Sequence, residues 1–199
     1  MKWLPGARAA VLALAVSAQA QVIEFETNGL KYQTLTKSGV TVMYAQLPPH
    51  VQGYTILEVA VSNGSAGPYT IRPEDFSYVR DAGEAIPAAP ARTVISMLME
   101  KGSRSDVIKL VGTYESTFYG IARMRSTNGY EQRRQAALAE TSTKLKAAAT
   151  ASALALVQTK LGPGESTDGA VFLPTDGKPL AHGRVVVKTN TDTFEFREE

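Results

Sequence analysis

The sequence contains no cysteine, two histidines and one tryptophan. The lack of cysteine excludes a disulfide framework, a thiolate-held zinc or iron–sulfur centre, a thiol nucleophile and a lipid anchor on cysteine. The histidines, His50 and His182, are isolated from each other and from any ligand cluster, so each reads as a surface loop residue. Long apolar runs are missing too. The run from Ala9 to Val16 is far short of the roughly 20 residues that cross a bilayer. There is no G-x-S-x-G elbow, no Gly-rich phosphate loop and no dinucleotide fingerprint, and Gly64-Ser65-Ala66-Gly67 fits a turn. Glu74 and Asp75 are adjacent, so an extended segment would point them to opposite faces, a poor acid–base pair. Glu165 and Asp168 lack the spacing of a cation loop. No catalytic, cofactor-binding or metal-ligating set is expected.

What is present begins with an export signal. Lys2 and Arg8 form a positive start, Ala9 to Val16 an apolar core, and Ser17-Ala18-Gln19-Ala20 a small-residue cleavage site. Cleavage after Ala20 would leave a chain starting at Gln21, exported to the bacterial periplasm or beyond, with no transmembrane segment. It would also remove two of 21 basic residues and none of the 19 acidic ones, leaving 19 against 19. A chain without net charge has no general pull on nucleic acid, which is not expected as a partner. At 199 residues, 44% hydrophobic and 20% charged, the chain can bury one good core.

The hydrophobic pattern runs β, then α, then β. Lys31 to Thr36 and Val40 to Leu47 flank Lys37-Ser38-Gly39, a short hairpin connection. Tyr54 to Ser62 is dense enough in apolar residues for a central strand. Tyr69 to Ile71 and Phe76 to Arg80 read as short strands around Arg72-Pro73-Glu74-Asp75. From about residue 91 to 161 the period becomes helical. Val94, Ile95, Leu98 and Met99 precede a stop at Gly102, and Ser103 with Asp106 forms a capping signal. Val107, Leu110, Val111, Tyr114, Phe118 and Ile121 make a second stripe. Asn128 with Glu131 at one end, and Lys160, Gly162 and Pro163 at the other, predict one long alanine-rich helix. Strands return at Asp168 to Leu173, Gly183 to Thr189 and Thr193 to Arg197. The expectation is a mainly β fold with an α insertion: residues 21–199 as a single immunoglobulin-like antiparallel β-sandwich interrupted by a helical hairpin.

Three short segments carry a resemblance. They are Val59-Ala60-Val61-Ser62-Asn63, Arg72-Pro73-Glu74-Asp75-Phe76, and Pro163-Gly164-Glu165-Ser166-Thr167-Asp168-Gly169-Ala170-Val171-Phe172. Over about residues 30–90 and 161–197 this order resembles the telokin-like, immunoglobulin-like domains of bacterial exported proteins of unknown function. The resemblance implies a sandwich fold and transfers no active-site residue. On the insert, Met97, Met99, Tyr114, Phe118, Tyr119 and Met124 form an adaptable apolar set. They pack against Leu138, Leu145 and the sheet or bind an envelope protein; a membrane-surface helix is a third option, disfavoured because the alanine-rich helix has few bulky residues to insert. The expected function is a non-catalytic exported binding or assembly module acting through the insert, with no cofactor and no ligand legible. The alternative is a hydrolase or carbohydrate-active enzyme with an unrecognised site, which His50 and His182 gathered with an acid in one cleft would favour.

Overall fold

A computed structural model describes residues 21–118, 130–178, 180 and 182–197, without the side chains of 49, 113–118, 130 and 131. The expected signal segment lies outside the described residues. The chain opens with β1 (Ile23–Thr27), β2 (Leu30–Lys37), β3 (Val40–Val51) and β4 (Tyr54–Asn63). These four are joined as antiparallel hairpins, and β9 (Ser166–Pro174) pairs on the far side of β4 to give a five-stranded sheet. At the β2–β3 hairpin Ser38 and Gly39 both take positive φ, the backbone of a two-residue turn that matches strand twist. The paired strand β3 runs past Leu47, where the sequence predicted its end. It crosses Pro48-Pro49, which cannot donate to the ladder, and the register with β4 slips between Gln46 and His50.

A second antiparallel sheet, in the order β11 (Thr193–Phe196), β10 (Gly183–Lys188), β6 (Phe76–Arg80), β7 (Ala85–Pro87), shares a core with the first. Leu57, Val59, Val61, Val171 and Leu173 from the five-stranded sheet meet Phe76, Val185, Val187, Phe194 and Phe196. A third pair, β5 (Tyr69–Ile71) with β8 (Thr159–Leu161), closes one side of it.

Side chains of opposite parity on the same strands belong to another core. Tyr32, Met43, Ala45, Ile56, Ala60, Ala170 and Phe172 pack against helical residues Val94, Leu98, Leu110, Ala147, Ala151 and Leu154. The central strand β4 is therefore covered on both faces, and eight of its ten residues are buried. One of them is Glu58, 1% exposed on the helical side, opposite Ala45 on β3 and Ala170 on β9.

The expectation of a helical hairpin is corrected. The described residues hold four helices, α1 (Ala91–Lys101), α2 (Arg104–Phe118), α3 (Tyr130–Ala139) and α4 (Thr143–Leu154). The long third helix breaks at 140–142, where Thr141-Ser142-Thr143 are weak helix formers, and Ser142 takes an extended N-cap conformation. Its proposed capping residue Asn128 lies outside the described residues. Its end is also earlier, and Lys160 sits in β8. A tertiary device, not a glycine cap, stops it. Ala155 turns extended and bridges Ala170, and Leu156 donates its N–H to Ala170 O at 2.9 Å. Ala155 belongs to the helical-side core and Leu156 to the core between the sheets, so here the chain rounds the β9 edge. Gly169 permits it: a Cβ there would stand 2.5 Å from Leu156 Cα.

The turn segments also find their reasons. Asp75 is not an acid–base partner for Glu74; its carboxylate folds back to accept from Arg72 N at 2.8 Å and from the Arg72 guanidinium at 2.9 Å. That closes a 3₁₀ turn and delivers Phe76, fully buried, into the core. Asn63 is buried at the end of β4. It donates to Gly67 O and Leu161 O, and its own oxygen accepts from Ser65. Asn63-Gly64-Ser65 is thus a structural tie.

Candidate functional site

The residues expected to bind a partner divide by helix face. Met97 and Met99, two apart on α1, project to different sides. Met97 is half-buried against the helical-side core, whereas Met99 is 46% exposed. Large apolar side chains are also exposed on the neighbouring helices, Ile108 on α2 at 62% and Leu145 on α4 at 39%. Tyr114 and Phe118 fall on α2 with their side chains undescribed, and Tyr119 and Met124 lie outside the described residues.

The start of α2 is fixed by the capping pair legible in the sequence. Asp106 accepts from Ser103 N at 2.9 Å, from Ser103 Oγ at 2.7 Å and from Gln52 Nε2 at 3.0 Å. Burial pushes the Asp106 carboxyl upward, but the Ser103 and Gln52 hydrogen bonds, with Lys109 nearby, outweigh it and hold the group below the usual range. Gln52 belongs to the β3–β4 turn, so this bond ties the helices to the sheet.

The histidines are not gathered into a site. His50 Nδ1 lies 3.2 Å from Thr55 Oγ1 at the far end of β3. His182 has positive φ, accepts from Asp81 N through its carbonyl, and lines a cleft whose walls include neither His50 nor a carboxylate. Among the described residues no three His, Asp or Glu side chains are placed to hold a metal ion, and no helix is long and apolar enough to cross a membrane.

The cleft beside His182 was missed by sequence reasoning. It encloses about 300 Å³ among Tyr44, Gln46, Tyr78, His182, Arg184 and Phe196. A second cleft of about 300 Å³, walled by Leu30, Lys31, Gln33 and Pro48, shares Tyr44 and Gln46 with it. A chain of bonds sets the floor. Tyr44 Oη donates to Gln33 Oε1 at 2.7 Å, Gln33 Nε2 donates to Glu24 Oε1 at 2.6 Å, and Lys31 pairs with Glu24 at 2.9 Å. The Lys31 ammonium holds the Glu24 carboxyl below its usual range despite some desolvation. The Tyr44 ring stands edge-on to Phe196, with centroids 4.9 Å apart. The signal was a break in strand pattern. On one face of β2 and β3, apolar Leu35, Val40 and Val42 give way to Lys31, Gln33, Tyr44 and Gln46, where the apolar core between the sheets ends.

No family model, curated protein or solved structure matches the chain.

Proposed function

We propose that this chain is a non-catalytic, exported binding or assembly module of the bacterial envelope, built on a telokin-like, immunoglobulin-like sandwich. The two facing antiparallel sheets support the sandwich reading. The helical layer meets a protein partner with its outer surface. The observation that carries this reading is the division on α1: Met97 is spent on the core, while Met99 stands exposed, with exposed Ile108 and Leu145 on helices of the same layer. Pliable methionine and aliphatic side chains of this kind suit a protein interface.

The test is capture from envelope extract with immobilised exported chain, wild type against Met99→Asp. The variant should melt within about 2 °C of wild type, as expected for an exposed position, and lose the captured partner. Equal capture by both chains would exclude this surface.

A further inference from the structure

We infer that the outer edge of β1 is a strand-docking site, which pairs with an extended segment of another protein in which basic and apolar residues alternate. The inference is independent of the helical surface, because it rests on the edge of the five-stranded sheet.

A sheet edge is a template for further pairing unless something blocks it. The two larger sheets have four edges. That of β9 is covered: Ala89 N donates to Phe172 O at 2.8 Å and Leu156 N to Ala170 O at 2.9 Å. That of β7 is three residues long and ends in Pro87, which has no N–H to offer. That of β11 is four residues long, and Lys37 Nζ already donates to its Thr193 carbonyl at 3.1 Å. The edge of β1 has none of these protections. It runs five residues without proline, glycine or bulge, in continuous register with β2. Asn28 and Gly29, both at positive φ, make a two-residue turn, so Thr27 and Leu30 exchange both backbone bonds. Alternation along the ladder then turns Phe25 and Ile23 towards β2 and points the N–H and C=O groups of Glu24 and Glu26 outward. Among the described residues no hydrogen bond reaches those outward groups.

Side chains set what can pair there. Ile23 is exposed, and exposed Phe25 stacks on Tyr32 with ring centroids 5.3 Å apart, so one face of the edge is apolar. The other face is acidic. Lys31 matches Glu24 at 2.9 Å, whereas Glu26 has no ion pair among the described residues. An incoming strand presents its own side chains to the same two faces. Apolar residues beside Ile23 and Phe25, and a lysine or arginine beside Glu26, complete both. A second copy is a poorer occupant, because antiparallel pairing of two β1 edges centred on Phe25 would set Glu24 opposite Glu26 twice.

The test is a ¹⁵N–¹H NMR titration of the exported chain with the peptides Lys-Val-Lys-Val-Lys-Val and Glu-Val-Glu-Val-Glu-Val, each up to about 5 mM, enough to reveal millimolar affinity. The lysine peptide should give saturable shifts confined to the amides of 22–27 and 30–34, with slowed hydrogen exchange at Glu24 and Glu26. The glutamate peptide should give none. Glu26→Pro removes an outward N–H and no bond to β2, so it should melt within about 5 °C of wild type and bind the lysine peptide about tenfold more weakly. Glu26→Lys keeps every backbone group; it should weaken the lysine peptide about threefold and let the glutamate peptide bind. No saturable shift with either peptide, shifts elsewhere only, equal affinity for both, or wild-type affinity in Glu26→Lys or in folded Glu26→Pro would overturn the assignment. So would broadening at 22–27 that grows with protein concentration in the absence of peptide, which would make a second copy the occupant.

Discussion

The two faces of the five-stranded sheet are held by different means. Towards the second sheet the core is built from large side chains, with Phe76, Phe194 and Phe196 almost fully buried among valines and leucines. Towards the helices alanines are far more frequent: Ala45, Ala60 and Ala170 on the strands and Ala147, Ala148 and Ala151 on α4 lie among the larger Tyr32, Met43, Ile56 and Phe172. The first face gains stability from the apolar area that each side chain removes from water. The second adds to this the close approach of backbones that its alanines allow. One sheet thus tolerates opposite errors on its two sides: removing bulk should hurt most on one, and adding bulk on the other.

The largest effect should come from emptying the side that faces the second sheet. Phe194→Ala should cost about 3–5 kcal/mol, read as a lower urea midpoint with an unchanged slope. A cost below about 1 kcal/mol would mean that the facing sheets share no tight core. Next comes overfilling the helical side. Ala151→Leu, at a fully buried position on α4, should cost about 1–3 kcal/mol, whereas exposed Ala136→Leu on α3 should stay within about 0.5 kcal/mol. Equal effects at 151 and 136 would mean that α4 is not tightly packed on its buried side.

Much of this comparison was legible in the sequence, and the rest had physical reasons for being hidden. The density of Ile56-Leu57-Glu58-Val59-Ala60-Val61 marked β4 as central, since a strand buried on both faces loses its alternation. The Ser103–Asp106 pair marked the start of α2, because capping is local chemistry. The end of α4 was not legible. It depends on Ala155 and Leu156 meeting β9, a contact between distant parts of the chain, so Gly162 and Pro163 looked like a helix stop when they turn the chain into β9. The strand β8 was hidden because Lys160 looks like the end of a helix, and β7 lies in a run of alanines and prolines with no strand alternation. Of the candidate site, the helical surface was named from side-chain type alone. The clefts beside Tyr44 appeared only once β2, β3, β10 and β11 were placed, although the change from apolar to polar along one face of β2 and β3 was their trace.

Smaller effects sharpen the join between sheet and helices. Asp106→Asn should cost about 1 kcal/mol at neutral pH, the value of an N-terminal cap. Its sign with pH follows from the lowered carboxyl. The stabilisation by Asp106 is complete above the unfolded value, about 3.9, and is lost as pH falls through the lower folded value. Thermal melts should therefore show wild type and Asp106→Asn converging as pH drops through that window. A constant gap down to pH 2 would show that the charge of Asp106 contributes nothing.

The smallest expected change in stability accompanies the largest expected change in function, at the outer surface of α1. Deleting 91–161 would uncover Tyr32, Met43, Ile56 and Phe172, so deletion confounds folding with binding and a surface probe is needed. The decisive measurement is photo-crosslinking in envelope extract, with a photoreactive amino acid placed at 99, at 108, or at exposed Glu84 in the β6–β7 turn. A binding module working through its helical layer predicts one discrete crosslinked species from 99 or 108 and none from 84. No discrete species from either helix position, or the same species from 84, would contradict it.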